Sequence, residues 1–139
     1  MSKPSEQMER ARRSIRVEAE LPAGAHEVWK AWTTEAGVRS FLAPEARIVA
    51  EPGGSYEIYF NPEAPCGSRG TEGMRVLAVQ PESFLAFTWN APPHLPEVRR
   101  QQTTVEIRIA SLGPESSRVH LEHRGWGTGG QWEEAFAYF

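Results

Sequence analysis

The sequence predicts an α+β fold: a curved antiparallel sheet of seven strands with its helices gathered on one face. Three observations predict it. Between Ala46 and Arg124 apolar and polar residues alternate with period two in successive short runs separated by Pro/Gly turns, which is the pattern of strands in hairpin succession. Two short stretches of helical period follow a first strand, at Ala25–Trp32 and Thr34–Leu42. The chain then finishes on Trp132, Ala135, Phe136 and Phe139, spaced i, i+3, i+4, i+7 as on a helix with one buried face. A sheet with one apolar face needs a cover, and these three segments are the candidates for it.

The elements follow in order. Residues 1–12 form a polar tail, and a single domain is expected over 13–139. Ile15, Val17, Ala19 and Leu21 alternate with Arg16, Glu18 and Glu20, giving a half-buried strand that Pro22 ends. Ala25, Val28, Trp29 and Trp32 make one short helix. Thr34 caps a second that carries Val38, Phe41 and Leu42; Gly37 weakens it and Pro44 closes it. Ala46, Ile48 and Ala50 then alternate along a strand to the turn Pro52-Gly53-Gly54. Tyr56, Ile58 and Phe60 share a face, and a Pro/Gly-rich loop runs to Gly70. Met74–Val79 reads as a strand that is apolar on both faces except at Arg75, so its orientation stays open. Leu85, Phe87 and Trp89 follow the Pro81-Glu82 turn. Residues 91–96 hold three prolines and are expected to be a long loop. Thr103–Ile109 and Val119–Arg124 are the last strands, separated by Gly113-Pro114. Thr128 and Gln131 have capping-box spacing for the terminal helix. Its stripe stops at Phe139 without a C-cap, from which a longer helix in the parent protein is expected.

Composition narrows the function classes. The chain has 139 residues, a formal charge of −3 and a pI near 5.8. It shows no basic face of the kind nucleic acid attracts. Arg10, Arg12 and Arg13 lie in the polar tail with no apolar stretch after them, so they do not read as a signal peptide. No run has the length of a membrane span. Cys66 is the only cysteine, which rules out an intrachain disulfide and points to a reducing, cytoplasmic setting. It sits in a turn-rich loop without a neighbouring histidine and is a poor nucleophile candidate. Five tryptophans and six phenylalanines suit a well-filled core or an aromatic-lined cavity, and composition does not separate the two.

His120 and His123 are three apart on a strand, so they point to opposite faces and cannot share a metal ion. The glycines from Gly125 to Gly130 lack the lysine of a phosphate loop and any dinucleotide fingerprint. Tyr56, Tyr59, Arg75 and Glu106 read as surface or rim residues rather than catalysts. His123 shares a face with Val119 and Leu121. It is either a hydrogen-bonded strand-end histidine or a polar group in an apolar pocket, with Glu72 a conceivable partner of unresolved facing.

In combination, several segments resemble a family. These are Val28-Trp29-Lys30-Ala31-Trp32-Thr33, Pro52-Gly53-Gly54-Ser55-Tyr56, Val79–Trp89, His123-Arg124-Gly125-Trp126, and Trp132-Glu133 with Phe136–Phe139. Their order and spacing resemble the START-like (SRPBCC) helix-grip superfamily, in the branch of activators of a heat-shock chaperone ATPase. The resemblance spans roughly residues 14–139. It implies a curved sheet gripping a C-terminal helix around an apolar cavity, and brings in a chaperone and a stress response as associations. Fold does not fix activity. The favoured expectation is a binder of a small apolar or amphipathic molecule, without chemistry, cofactor or metal. Its expected contacts are Tyr56, Ile58, Phe60, Phe87, Trp89, Val105, Ile107, Leu121, His123, Trp132 and Phe136. The alternatives are a cyclase, dehydratase or hydrolase using His123, or a regulator of a chaperone ATPase. A homodimer and a chaperone are the candidate macromolecular partners.

Overall fold

The computed structural model describes residues 14–126. The polar tail and the terminal segment bearing Trp132 and Phe136 lie outside the described residues. In chain order the elements are β1 (Ile15–Leu21), α1 (Ala25–Thr33), α2 (Glu35–Phe41), β2 (Glu45–Ile48), β3 (Tyr56–Tyr59), β4 (Val76–Gln80), β5 (Phe84–Trp89), α3 (Pro96–Arg99), β6 (Thr103–Gly113) and β7 (Ser116–Arg124). The architecture is α+β with antiparallel strands, as the sequence predicts.

Among the described residues there are seven strands, but they divide as five and two: one sheet runs β1-β7-β6-β5-β4, and β2 pairs with β3. The hairpin is nevertheless bonded to the β4 side. The Tyr56 N–H donates to Met74 O at 2.9 Å, and isolated bridges join Ser55 to Arg75 and Tyr59 to Gly70. At Gly70 the two backbones come so close that a Cβ would lie 1.9 Å from Ile58 O, which only glycine avoids. A bulge between Val76 and Ala78 explains the uncertain orientation of this strand. It breaks strict alternation, so that Val76 and Val79 both reach the core while Leu77 is exposed.

Register fixes the concave face. Ile15 opposes His123, Val17 opposes Leu121 and Ala19 opposes Val119. Val105 likewise sits between His123 and Phe87, and Ile107 between Leu121 and Leu85. The covering helices meet at Thr34, whose hydroxyl accepts the Gly37 N–H at 2.9 Å. Gly37 is tolerated in α2 because a Cβ there would stand 2.2 Å from Lys30 O; the tight α1–α2 corner requires it. Val28 and Val38 pack from these helices onto Tyr56, Ile58, Leu85, Phe87, Val105, Ile107, Ile109 and Val119. Tyr56 stacks on Phe87 with centroids 3.9 Å apart, and its hydroxyl donates to Trp32 O at 2.7 Å.

Three sequence expectations need correction. The 91–96 loop runs directly into the one-turn α3, where Pro96 occupies a first-turn position that needs no N–H. β6 extends beyond Ile109 to Gly113. β1 is not half-buried: Val17 is 55 % exposed although its parity is right, because α1 packs over β6 and β7 instead.

Tyr56 joins the helices to the sheet both by its ring and by its hydroxyl. Tyr56→Ala is expected to cost about 3–5 kcal/mol, as other large core truncations do. The midpoint of urea unfolding measures this, and an unchanged midpoint would remove Tyr56 from the centre of the core.

Candidate functional site

Two loops that lack strand partners meet at one end of the sheet: residues 61–70 after β3 and 90–95 before α3. Their backbone polar groups still need partners. Glu72 takes up N–H groups. Its carboxylate accepts from Gly67, from Arg69 at 2.5 Å and from Gly70 at 3.1 Å. Arg99, on α3, takes up carbonyls. Nη1 donates to Ala91 O at 2.6 Å, Nη2 to Gly67 O and Gly70 O at 2.7 Å each, and Nε to Gly67 O at 3.1 Å. The two charges stand 3.8 Å apart. Burial pushes the Glu72 carboxyl up, but the three N–H donors and Arg99 outweigh this and hold it below its usual range. Burial also lowers the Arg99 guanidinium, against the raising effect of Glu72. Glu72 therefore partners Arg99 and the loop, not His123.

The clamped loops border a half-open cavity of about 350 Å³. Phe60 and Trp89 form an apolar wall, 6.2 Å apart and edge to face, continued by Ala91, Pro92 and Pro93. Arg69, Asn90, Asn61, Ser68 and Thr71 give the lining its polar groups, with Arg99 behind them. Thr71 is committed to the fold: its hydroxyl accepts from Ile58 N at 2.8 Å and donates to Tyr56 O at 3.2 Å. A space of this size is at the small end of ligand pockets.

Of the residues expected in a site, Phe60 and Trp89 line this cavity. Tyr56, Ile58, Phe87, Val105 and Ile107 are buried together in the core, with half-buried Leu121 against them. Trp132 and Phe136 lie outside the described residues. His123 is buried away from the cavity lining. Its Nε2 is 2.6 Å from the Thr103 hydroxyl, and its ring lies 4.4 Å from the Trp126 ring. Trp126 in turn donates Nε1–H to His123 O at 2.9 Å. Burial pushes the imidazole down from 6.5 to about 4, so it is neutral at physiological pH. His120 sits on the opposite face, 4.0 Å from Glu18. Of the four residues read as surface or rim, Tyr56 is fully buried. Arg75 bonds Ser55 at 3.3 Å, Tyr59 bonds Glu57, and Glu106 pairs with Arg108 and Arg124. Among the described residues no cluster of three or more His, Cys, Asp or Glu has metal-binding geometry, and no helix is long and apolar enough to cross a membrane.

Arg69, Asn90, Arg99 and the clamping role of Glu72 were not anticipated. A carboxylate two to five residues beyond Gly67 and Gly70 is a legible signal for a loop-bound acid. The reach of Arg99 across the fold leaves no local signal.

With this geometry in place, comparison assigns the class. The family model described as Activator of Hsp90 ATPase homolog 1-like protein matches residues 22–138. The chain belongs to that family. No curated protein matches it by sequence. Among solved structures, a protein from Mesorhizobium loti is similar at 20% identity with a TM-score of 0.68, over 90% of this chain and 84% of that one. The Aha1 dimer from Colwellia psychrerythraea is similar at 14% identity with a TM-score of 0.63, over 88% and 83%. An HSP90 activator from Plasmodium falciparum is similar at 15% identity with a TM-score of 0.61, over 90% and 91%. At these identities the likeness is one of fold.

Two predictions follow from the polar groups. Arg99→Met leaves carbonyls and the Glu72 carboxylate without their cation and should cost on the order of 3 kcal/mol. Amide exchange at Gly67–Gly70 should then quicken more than exchange in β6, and equal acceleration at both sites would refute a local clamp. The second concerns His123. Its folded pKa lies below its unfolded value, so the unfolded state binds the proton more readily. Stability is intact above pH 6.5 and declines as pH falls toward about 4, by up to roughly 3 kcal/mol for such a shift. Between pH 7 and 4.5 the wild type should lose more stability than His123→Gln in denaturant titrations. Parallel losses would clear the imidazole.

Proposed function

We propose that this protein binds one small amphipathic molecule in the cavity between the clamped loops, and that it does so without transforming it. The observation that carries this reading is the pairing of an aromatic wall, Phe60 and Trp89, with the polar groups of Arg69 and Asn90 around a single 350 Å³ space. These groups hold and orient. The one buried imidazole, His123, is spent on Thr103 and Trp126 at a different place on the sheet, so the cyclase, dehydratase or hydrolase alternative draws no support from it. A cytoplasmic location accompanies the proposal, on the strength of the lone Cys66.

A second reading rests on the family itself. The matched model is named for activation of the Hsp90 ATPase, and one similar structure is titled an HSP90 activator and another an Aha1 dimer. A chaperone or a second copy of the chain is the partner this reading calls for.

One pair of measurements separates the two. Native mass spectrometry of protein purified from its source should show a co-purifying small molecule, lost in Trp89→Ala while the fold persists by circular dichroism. Retention of that mass by Trp89→Ala would place the ligand elsewhere. No adduct, together with stimulation of an Hsp90 ATPase that Trp89→Ala leaves intact, would replace the binder by the chaperone regulator.

A further inference from the structure

Two polar groups in the cavity wall have hydrogen-bonding capacity that the fold leaves unused. Arg69 commits only Nε, which donates to Ala64 O at 2.9 Å. Its Nη1 and Nη2 donate to no group among the described residues, and no described carboxylate pairs with its guanidinium. The nearest acid in sequence, Glu72, is already held by the Gly67, Arg69 and Gly70 N–H groups and faces Arg99. The other acid of this loop, Glu63, is exposed and does not line the cavity. The second group is Asn90, only 7% exposed. Its Nδ2 donates to Gly70 O at 3.1 Å. Gly70 O can only accept, so the amide orientation is fixed and Oδ1 is the free end. That oxygen accepts nothing from the described residues, and a buried acceptor without a donor is costly.

The rest of the wall is apolar and angled, its two rings set edge to face at 73°. Trp89 and Phe60 present ring surface, and Ala91, Pro92 and Pro93 face it without polar side chains. A planar guanidinium with two unused N–H pairs matches a carboxylate in its own plane. Two rings at this angle favour an aromatic skeleton, packed face-on against one ring and edge-on against the other, over a branched aliphatic one. An unused buried carbonyl calls for a donor on the same molecule.

From these groups we propose that the occupant is a planar aromatic acid. Its carboxylate lies on Arg69, its fused rings lie against Trp89 and Phe60, and a hydroxyl or N–H donates to Asn90 Oδ1. This assignment rests on the cavity being a ligand site.

Isothermal titration calorimetry on the full chain compares 2-naphthoate with the neutral 2-naphthamide. The acid should bind about tenfold tighter or more, the range of a charge-assisted hydrogen bond, and its affinity should fall as sodium chloride is raised. Arg69→Met should abolish the preference and leave the amide affinity unchanged; Arg69 is only half-buried, so this variant is expected to fold. Trp89→Ala should weaken both probes. Among the monohydroxylated 2-naphthoates, at least one regioisomer should bind tighter than the parent. Equal affinities for acid and amide, both weakened in Trp89→Ala, would overturn the anion assignment and leave the cavity reading standing. Binding of neither probe, or binding indifferent to Trp89→Ala, would overturn both. If no hydroxylated isomer gains affinity, the role given to Asn90 falls.

Discussion

Backbone groups in loops without strand partners must be bonded by something, and here one acid and one base supply the bonds that tie the two loops together. Glu72 collects N–H groups from the loop that carries it, and Arg99 collects carbonyls from that loop and from the segment after β5. The pair works by division of labour: a carboxylate can only accept and a guanidinium can only donate. Their 3.8 Å separation adds a charge attraction to the backbone dipoles that stabilise each group. The consequence is geometric. Two irregular segments far apart in sequence are held as fixed walls, and the space between them has a definite shape. Ordinary surface ion pairs on the convex face, such as Arg118 with Glu18 and Glu20, contribute little by comparison.

How much of this could be read beforehand depends on the range of the interaction concerned. Alternation of side chains is local, so the strands at Leu85, Phe87 and Trp89 and at Thr103–Ile109 were legible, as was their common face. The Thr34 cap was legible for the same reason, since its partner, Gly37, is three residues away. Where the backbone departs from period two, reading by parity failed. With Val76 inward and Leu77 outward, alternation would turn Val79 outward, but the bulge brings it onto the core, a reversal that composition does not announce. Burial of β1 failed differently. Its pattern was correct, but burial also needs a covering element, and among the described residues α1 lies over β6 and β7.

The candidate site was less legible than the fold. Phe60 and Trp89 were expected as ligand contacts, and they line the cavity because Phe60 directly follows β3 and Trp89 ends β5, both at the loop side of the sheet. Arg69, Asn90 and Arg99 sit in segments read only as loops, where Pro and Gly identify a turn but do not say what its neighbours will be. Their association depends on distances between residues 70, 90 and 99 that no local pattern encodes. His123 was placed on the concave face, and it is there. What parity could not supply was its partner, since Thr103 is brought beside it only by the antiparallel register of β6 and β7.

The position of the cavity follows from how the core is filled. A space beneath the middle of the sheet would need small or absent side chains at its centre. Instead Tyr56 from β3 lies flat on Phe87 from β5, 3.9 Å away, and its hydroxyl is tied to the α1 backbone at Trp32 O. Ile58, Leu85 and Ile107 close the gaps around them. Among the described residues these side chains fill the middle of the sheet at the density of a protein interior. Further along the same two strands the rings continue as Phe60 and Trp89, but there the sheet ends and the loops take over. There side chains such as Arg99 and Asn90 are committed to pairing loop backbone groups. Room therefore opens where β3 and β5 run out, and it opens between an aromatic wall inherited from the core and polar groups inherited from the loops. That juxtaposition gives the cavity its amphipathic lining.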